Sequence, residues 1–168
     1  MPISMYHASA PRFIKMLENL SAIIDKAAAH AAAKKIDPLA LTAARLYPDM
    51  FPFSRQVQIA CDVSKGAVAR LAGVEVPKHE DTETTFDELK ARIAKTIAFM
   101  KTVKQSQIDG SDEKEIALKV GGRDLKFTGM QYLLGFAQPN VYFHVATAYD
   151  ILRHNGIEIG KTDYLGNP

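Results

Sequence analysis

Apolar residues return at spacings of three and four along four separate stretches of this chain, and no other feature constrains its fold as strongly. A stripe of that period buries one side of an α-helix and leaves the other to water. The first stretch, Ser4 to Lys35, carries Met5, Phe13, Met16, Leu17, Leu20, Ile23, Ile24 and Ala27. Pro11 predicts a kink there or a later start, because proline removes a donor and crowds the preceding turn. The AAAHAAAKK tail favours helix but has little bulk, so it is expected to project into solvent until Ile36-Asp37-Pro38 ends it. The second stretch runs from near Ser54 to about Leu71, with Val57, Ala60, Cys61, Ser64, Val68 and Leu71 inward. Gly73 is its stop. In the third, Thr84 or Thr85 is the cap, and Asp87 and Glu88 sit in the first turn, where the helix dipole favours acids. Phe86, Leu89, Ile93, Ile97, Met100 and Val103 form its stripe. The fourth is entered from Thr128 or Gly129. From Leu133 to Asn155 it reads as one long, mostly apolar helix, interrupted at Pro139 and ended by Gly156.

The connectors have signatures of their own. Leu39 to Arg45 predicts a short helix with Asp37 as cap and Pro38 at its first position. Tyr47-Pro48-Asp49 and Phe51-Pro52 predict a connector whose large apolar groups fold back as a plug over one end of the helices. Residues 74–84 read as an exposed linker, and 106–115 as a polar loop. Ile116, Leu118 and Val120 then alternate, Gly121-Gly122 follows, and Leu125 and Phe127 alternate again. A Gly-Gly pair between alternating runs is a hairpin signal, since both central residues can take positive φ. The tail IEIGKTDYLGNP is expected to lie extended over the surface. The fold expected is all-α: an up-down-up-down four-helix bundle with a small β-hairpin between helices three and four, as one domain over 1–168.

Charge and cysteine content narrow the function. Net charge is +2, with 21 basic against 19 acidic side chains, and no clustered basic stripe marks a nucleic-acid partner. The single cysteine, Cys61, excludes an internal disulfide framework and suits a reducing, cytoplasmic compartment. MPISMYHASAPRF lacks the charged-apolar-small order of a signal peptide. No uncharged apolar run reaches the roughly 18 residues of a membrane span.

Chemistry concentrates where polar groups interrupt apolar faces. On the fourth helix Asn140 and His144 lie at i, i+4 and share a face, with Thr147 close by. Such groups need partners when buried. Gln58 and Asp62, one turn apart beside the second helix's stripe, are positioned to supply them. Asp62 near His144 would orient the imidazole and raise its pKa. Equally, His144 is a core histidine held by Gln58, Asp62 or Asn140, and Gln56, Gln58 and Asp62 are solvated flankers. The candidate ligand-binding residues are Gln58, Asp62, Asn140 and His144. Cys61 reads as a small buried hydrophobe, with His144 the sole base that could activate it. His7, His30, His79 and His154 read as surface or cap residues.

Five separated motifs carry a family resemblance: RLYPDMFPFSRQVQIACD, LAGVEVP, the hairpin with GGRDLKFTG, PNVYFHVATAYDILRHNG, and GKTDYL. Together they resemble a bacterial and fungal family catalogued as a domain of unknown function, which is similar to the DinB/YfiT-like superfamily of four-helix bundles. That resemblance implies a divalent metal held by three histidines, one from the second helix and two, spaced i, i+4, from the fourth. It also implies metal-dependent thiol transferase or hydrolase activity in some members, and dimers in many. His144 falls on the second position of the implied pair and Asn140 on the first. No histidine stands on the second helix, where Gln58 is the nearest polar candidate, with Gln56 and Asp62 beside it.

Three readings follow. The first is a bundle with a degenerate metal site, binding a small molecule or partner at a polar pocket between helices two and four. The second is a metal-dependent transferase or hydrolase with an altered set, His144 with Asn140 and Gln58, whose oxygens suit Mg²⁺ or Mn²⁺ better than Zn²⁺. The third is a structural helical homodimer.

Overall fold

Pro11 decides where the first helix begins. In the computed structural model, which describes residues 3–166, α1 spans Ala10–Lys34 and holds Pro11 in its first turn. There its missing N–H is no loss. The helix therefore starts later than Ser4, one of the two outcomes the proline allows. Phe13, Leu17, Leu20, Ile24, Ala27 and Ala31 are buried along it. The alanine tail consequently does not project into solvent: Ala27 and Ala31 pack into the core, their small side chains permitting close approach.

A short α2, Pro38–Thr42, follows, with the Asp37 carboxylate accepting from the Leu39 amide at 2.9 Å. It ends before Arg45. Tyr47 and Phe51 are not the plug expected of them: they are 66% and 54% exposed. Local bonds close this stretch on the surface, with Arg45 donating to the Met50 carbonyl and the Phe53 amide to that of Ala44. Phe53 itself is buried, edge-on to Phe86 at 6.2 Å between ring centroids.

The next helix, α3, spans Phe53–Ala72 and stops on Gly73 at φ +74°. All six residues of its predicted stripe are buried. Thr85 opens α4, Phe86–Thr102, in a capping box with Glu88. The Thr84 and Thr85 amides that donate to the Glu88 carboxylate hold it down at a pKa of about 2. The expected loop after α4 contains a helical turn, α5 (Gln105–Ile108), with Ile108 buried. Strands β1 (Glu115–Val120) and β2 (Arg123–Thr128) pair antiparallel, with Val120 opposite Arg123 across Gly121-Gly122. Both glycines have positive φ, +55° and +80°. A lone hairpin is marginal in water. This one docks through Ile116, which is buried, and Phe127, whose ring lies 6.1 Å from Tyr132 and 5.8 Å from Phe136.

The fourth apolar stretch is not one continuous helix. Thr128 caps α6 (Gly129–Tyr132), a π-helical turn covers Leu133–Ala137, and α7 runs Gln138–His154. The break precedes Pro139 instead of falling on it. A proline ring clashes with the carbonyl four residues back, and a wider turn moves that carbonyl away. The tail also departs from expectation. Residues Lys161–Leu165 form α8, opened by the Asp163 carboxylate accepting from the Gly160 amide at 2.8 Å. Lys26 pairs with Asp163 and Asn19 donates to the Tyr164 carbonyl, fixing α8 on α1. Ile157 and Ile159 are buried.

The molecule is thus mostly helical with one small antiparallel hairpin. The helix α3 packs against α4 and α7, and α1 packs against the same two. No helix among the described residues is long and apolar enough to cross a membrane.

Candidate functional site at the edges of helix α3

The buried stripe of α3 has a polar residue on each flank. Gln56 lies one turn before Ala60 and two before Ser64, on one edge. Gln58, Asp62 and Lys65 follow one another at three and four on the other. The two edges meet different neighbours.

The Gln56 edge meets α7. Gln56 is buried, and its amide nitrogen donates to the Phe51 carbonyl at 3.0 Å. That turns its oxygen to His144 Nδ1, 2.7 Å away. An amide oxygen can only accept, so Nδ1 carries the imidazole proton and Nε2 keeps the lone pair. Burial first, and then the Arg55 charge, hold the ring below the usual histidine range. The Phe143 ring stands edge-on to His144 at 5.2 Å, and the Arg55 guanidinium lies 5.9 Å from the Phe51 centroid. The neutral imidazole is therefore bordered by the Phe143 ring, itself more than half exposed, while the exposed Phe51 ring lies against Arg55.

The Gln58 edge meets α4 and the 74–84 segment. Its centre is Arg92, a buried guanidinium on α4. Nη2 donates to Asp62 at 2.8 Å and pairs with Asp81 at 2.8 Å. Nη1 donates to both oxygens of Glu83, at 3.1 and 3.0 Å, and to the Glu80 carbonyl at 3.0 Å. Lys65, also buried, pairs with Asp62. Gln58 donates to Glu83 at 3.1 Å and accepts from Arg55 at 3.2 Å, while Arg55 pairs with Asp81. Burying a guanidinium is tolerable only with such pairing. The exposed linker over residues 74–84 is thereby strapped across α3 and α4, with no residue of it buried.

The four residues singled out from the sequence are thus divided. Asn140 and His144 share α7, but the Asn140 amide nitrogen donates to the Phe136 carbonyl at 2.7 Å. Thr147 likewise returns its hydroxyl to Phe143, at 2.8 Å. Gln58 and Asp62 belong to the Arg92 network. The partner of His144 on α3 is Gln56, which the sequence pattern places only as a flanker of the stripe. Cys61 is fully buried, with its thiol pushed up to about 12 by burial, so it holds no thiolate for chemistry. Arg92 was missed altogether. The signal for it was an arginine directly before Ile93 in the buried stripe, with acids at Glu80, Asp81 and Glu83 close in sequence.

The implied metal site does not fit these residues. Among the described residues, no group of three or more His, Cys, Asp or Glu side chains is placed to hold a metal ion. Nδ1 of His144 is taken by Gln56, and the Gln58 oxygen by Arg55.

Comparison with known proteins agrees with the fold. A family model described as "Domain of unknown function (DUF1993)" matches residues 5–165. The crystal structure of a DinB family member protein from Shewanella denitrificans is 45% identical and superposes with a TM-score of 0.87, over 97% of this chain and 92% of that one. No curated protein matches.

Proposed function

With the chain belonging to the DUF1993 family of unknown function, we propose that it is a DinB-like binding domain whose site is the α3–α7 polar contact. On this reading residues 1–168 form one domain, and α1, α3, α4 and α7 make an up-down-up-down bundle, in keeping with the packing of α1 and α3 on both α4 and α7. The site takes a small flat molecule that donates an N–H or O–H to His144 Nε2 and rests on Phe51 and Phe143. Asn140 borders it one turn away. Gln58 and Asp62 set the position of α3 through Arg92. The observation that carries this reading is the 2.7 Å bond between Gln56 and His144, which leaves a neutral acceptor at a half-buried position beside the exposed Phe143 ring.

The test is metal analysis of purified protein beside an amide-shift screen of small N–H-donating heteroaromatics, each repeated on His144→Ala. Shifts centred on Gln56, Phe143 and His144, lost in the variant, are the expected result. Stoichiometric divalent metal that disappears in His144→Ala would replace this reading with the metal-dependent transferase or hydrolase. A homodimer is the second reading, favoured by the exposure of Tyr47, Phe51 and Phe143. Sedimentation of Phe143→Ser against the parent chain distinguishes it.

A further inference from the structure

A cavity of about 690 Å³ opens on the other flank of α7. Its walls include Met5, Arg12, Met130, Leu134, Gln138 and Tyr142. Gln138 and Tyr142 are two positions away from Asn140 and His144, about 200° around the helix, so this is not the α3–α7 site. The Gln138 side chain donates to the Ala8 carbonyl at 2.6 Å and ties the start of α7 to the segment that leads into α1. Leu134 belongs to the π-helical turn. Such turns are uncommon and collect at functional sites. Here the turn presents a leucine that is 51% exposed, beside Met130 at 41%.

Ser4, His7, Gln138 and Tyr142 give this cavity some polar lining, but its acidic and basic content is one-sided. Arg12 lines it, and no aspartate or glutamate does. Arg12 makes no ion pair among the described residues. Asp109 is engaged by the Tyr6 amide at 3.0 Å and by Gln105 at 2.8 Å, bonds that hold its carboxyl below the usual range. Largely apolar walls with one cation at the rim, in a volume of several hundred Å³, are within the ordinary make-up of a small-molecule site.

We propose that this cavity binds a small amphipathic carboxylate, with its anion on Arg12 and its apolar body against Met5, Met130 and Leu134. The unpaired guanidinium selects the charge, since a carboxylate forms strong charge-assisted bonds with it. The exposed Met130 and Leu134 select the apolar body, whose arrival removes them from water.

The experiment is a titration of ¹⁵N-labelled full-length protein with octanoate, and separately with octanol. Octanoate is expected to give saturable shifts at Met130, Leu134, Gln138 and Tyr142. Arg12→Gln should weaken octanoate about ten-fold and leave octanol binding unchanged. Leu134→Trp, at an exposed position, should fill the cavity and remove both without altering the circular dichroism spectrum. Absence of saturable shifts overturns the proposal, as does equal octanoate affinity in Arg12→Gln. Shifts centred on His144 would overturn it in favour of the α3–α7 site. A concentration-dependent dimer that Leu134→Trp abolishes, with octanoate inert, would overturn it in favour of a second copy of the chain.

Discussion

The two edges of α3 put polar side chains against buried surfaces in opposite ways. Toward α4, both terminal nitrogens of Arg92 are engaged: Asp62, Asp81 and Glu83 answer them, Lys65 and Arg55 answer those acids in turn, and the one unpartnered nitrogen of the guanidinium, Nε, is buried. Toward α7, His144 has one strong bond, to Gln56, and a second nitrogen left as an acceptor. A closed network consumes its hydrogen-bonding capacity internally, so it positions backbone but has little left for a ligand. An open pair keeps capacity in reserve. Polar residues on a buried face therefore do not by themselves mark a site. An unspent donor or acceptor within reach of a ligand does, and the unpartnered Arg92 Nε is buried beneath the strap.

Arg92→Met is the strongest way to break that contrast. It removes the buried centre of the network and leaves Glu83 beside the partly exposed Asp62 and Asp81, which keep Lys65 and Arg55, a loss of about 3 kcal/mol, the low end for a broken buried pair. Urea unfolding reads this directly. A loss below about 1 kcal/mol, the scale of a surface pair, would mean the network is a surface feature and the contrast false. Arg92→Lys should be nearly as damaging, because a point ammonium cannot reproduce donation to Asp62 and Glu83 from opposite ends of a planar fork.

Gln56→Leu attacks the other edge more mildly. It strips a partner from the Phe51 carbonyl and from His144, for about 1–3 kcal/mol by the usual cost of orphaned buried groups. Its sharper readout is the imidazole. The parent protein should show the Nδ1–H tautomer in ¹⁵N spectra, and the variant a mixture. A parent ring already protonated on Nε2 would break the assignment of Nε2 as the open acceptor.

How much of this the sequence could show depends on geometry. Periodicity located α1, α3 and α4 because burial of one stripe repeats with the helix turn, and Gly73, Thr85 and Gly121-Gly122 marked ends whose backbone or capping needs are local. Periodicity also named the flank residues of α3. It did not say which flank faces which neighbour, for a single helix pattern is silent on how its partners are arranged around it. That is why Gln58 was matched with His144 in place of Gln56. Arg92 is not legible in the pattern because a charge is normally an outward residue, and its acids come from two other segments. The bulk of Tyr47 and Phe51 predicts a plug over one end of the helices, whereas hydrogen bonds local to their loop hold them outside.

The smallest expected effect is the dependence of stability on pH, and it sharpens the comparison because each edge has a histidine. His144 lies below its ordinary value of 6.5 through burial and then Arg55. His79, on the strap over Arg92, also lies below 6.5, through burial and then the charges of Lys65, Lys95 and Arg92. For either ring the folded pKa is lower than the unfolded one. As pH falls through 6.5 the unfolded chain takes up a proton that the folded chain refuses, so stability declines toward the folded pKa and is complete above 6.5. Replacing a ring by glutamine removes its share of that slope. Urea midpoints for His144→Gln, His79→Gln and the parent chain between pH 7.5 and 5 measure the two shares separately. A ligand that accepts no proton but donates to His144 Nε2 should steepen the decline in the parent and in His79→Gln, since it adds affinity for the neutral ring alone. It should do nothing in His144→Gln. If ligand steepens the decline through His79 instead, the open acceptor lies on the strap, and the roles assigned to the two edges are reversed.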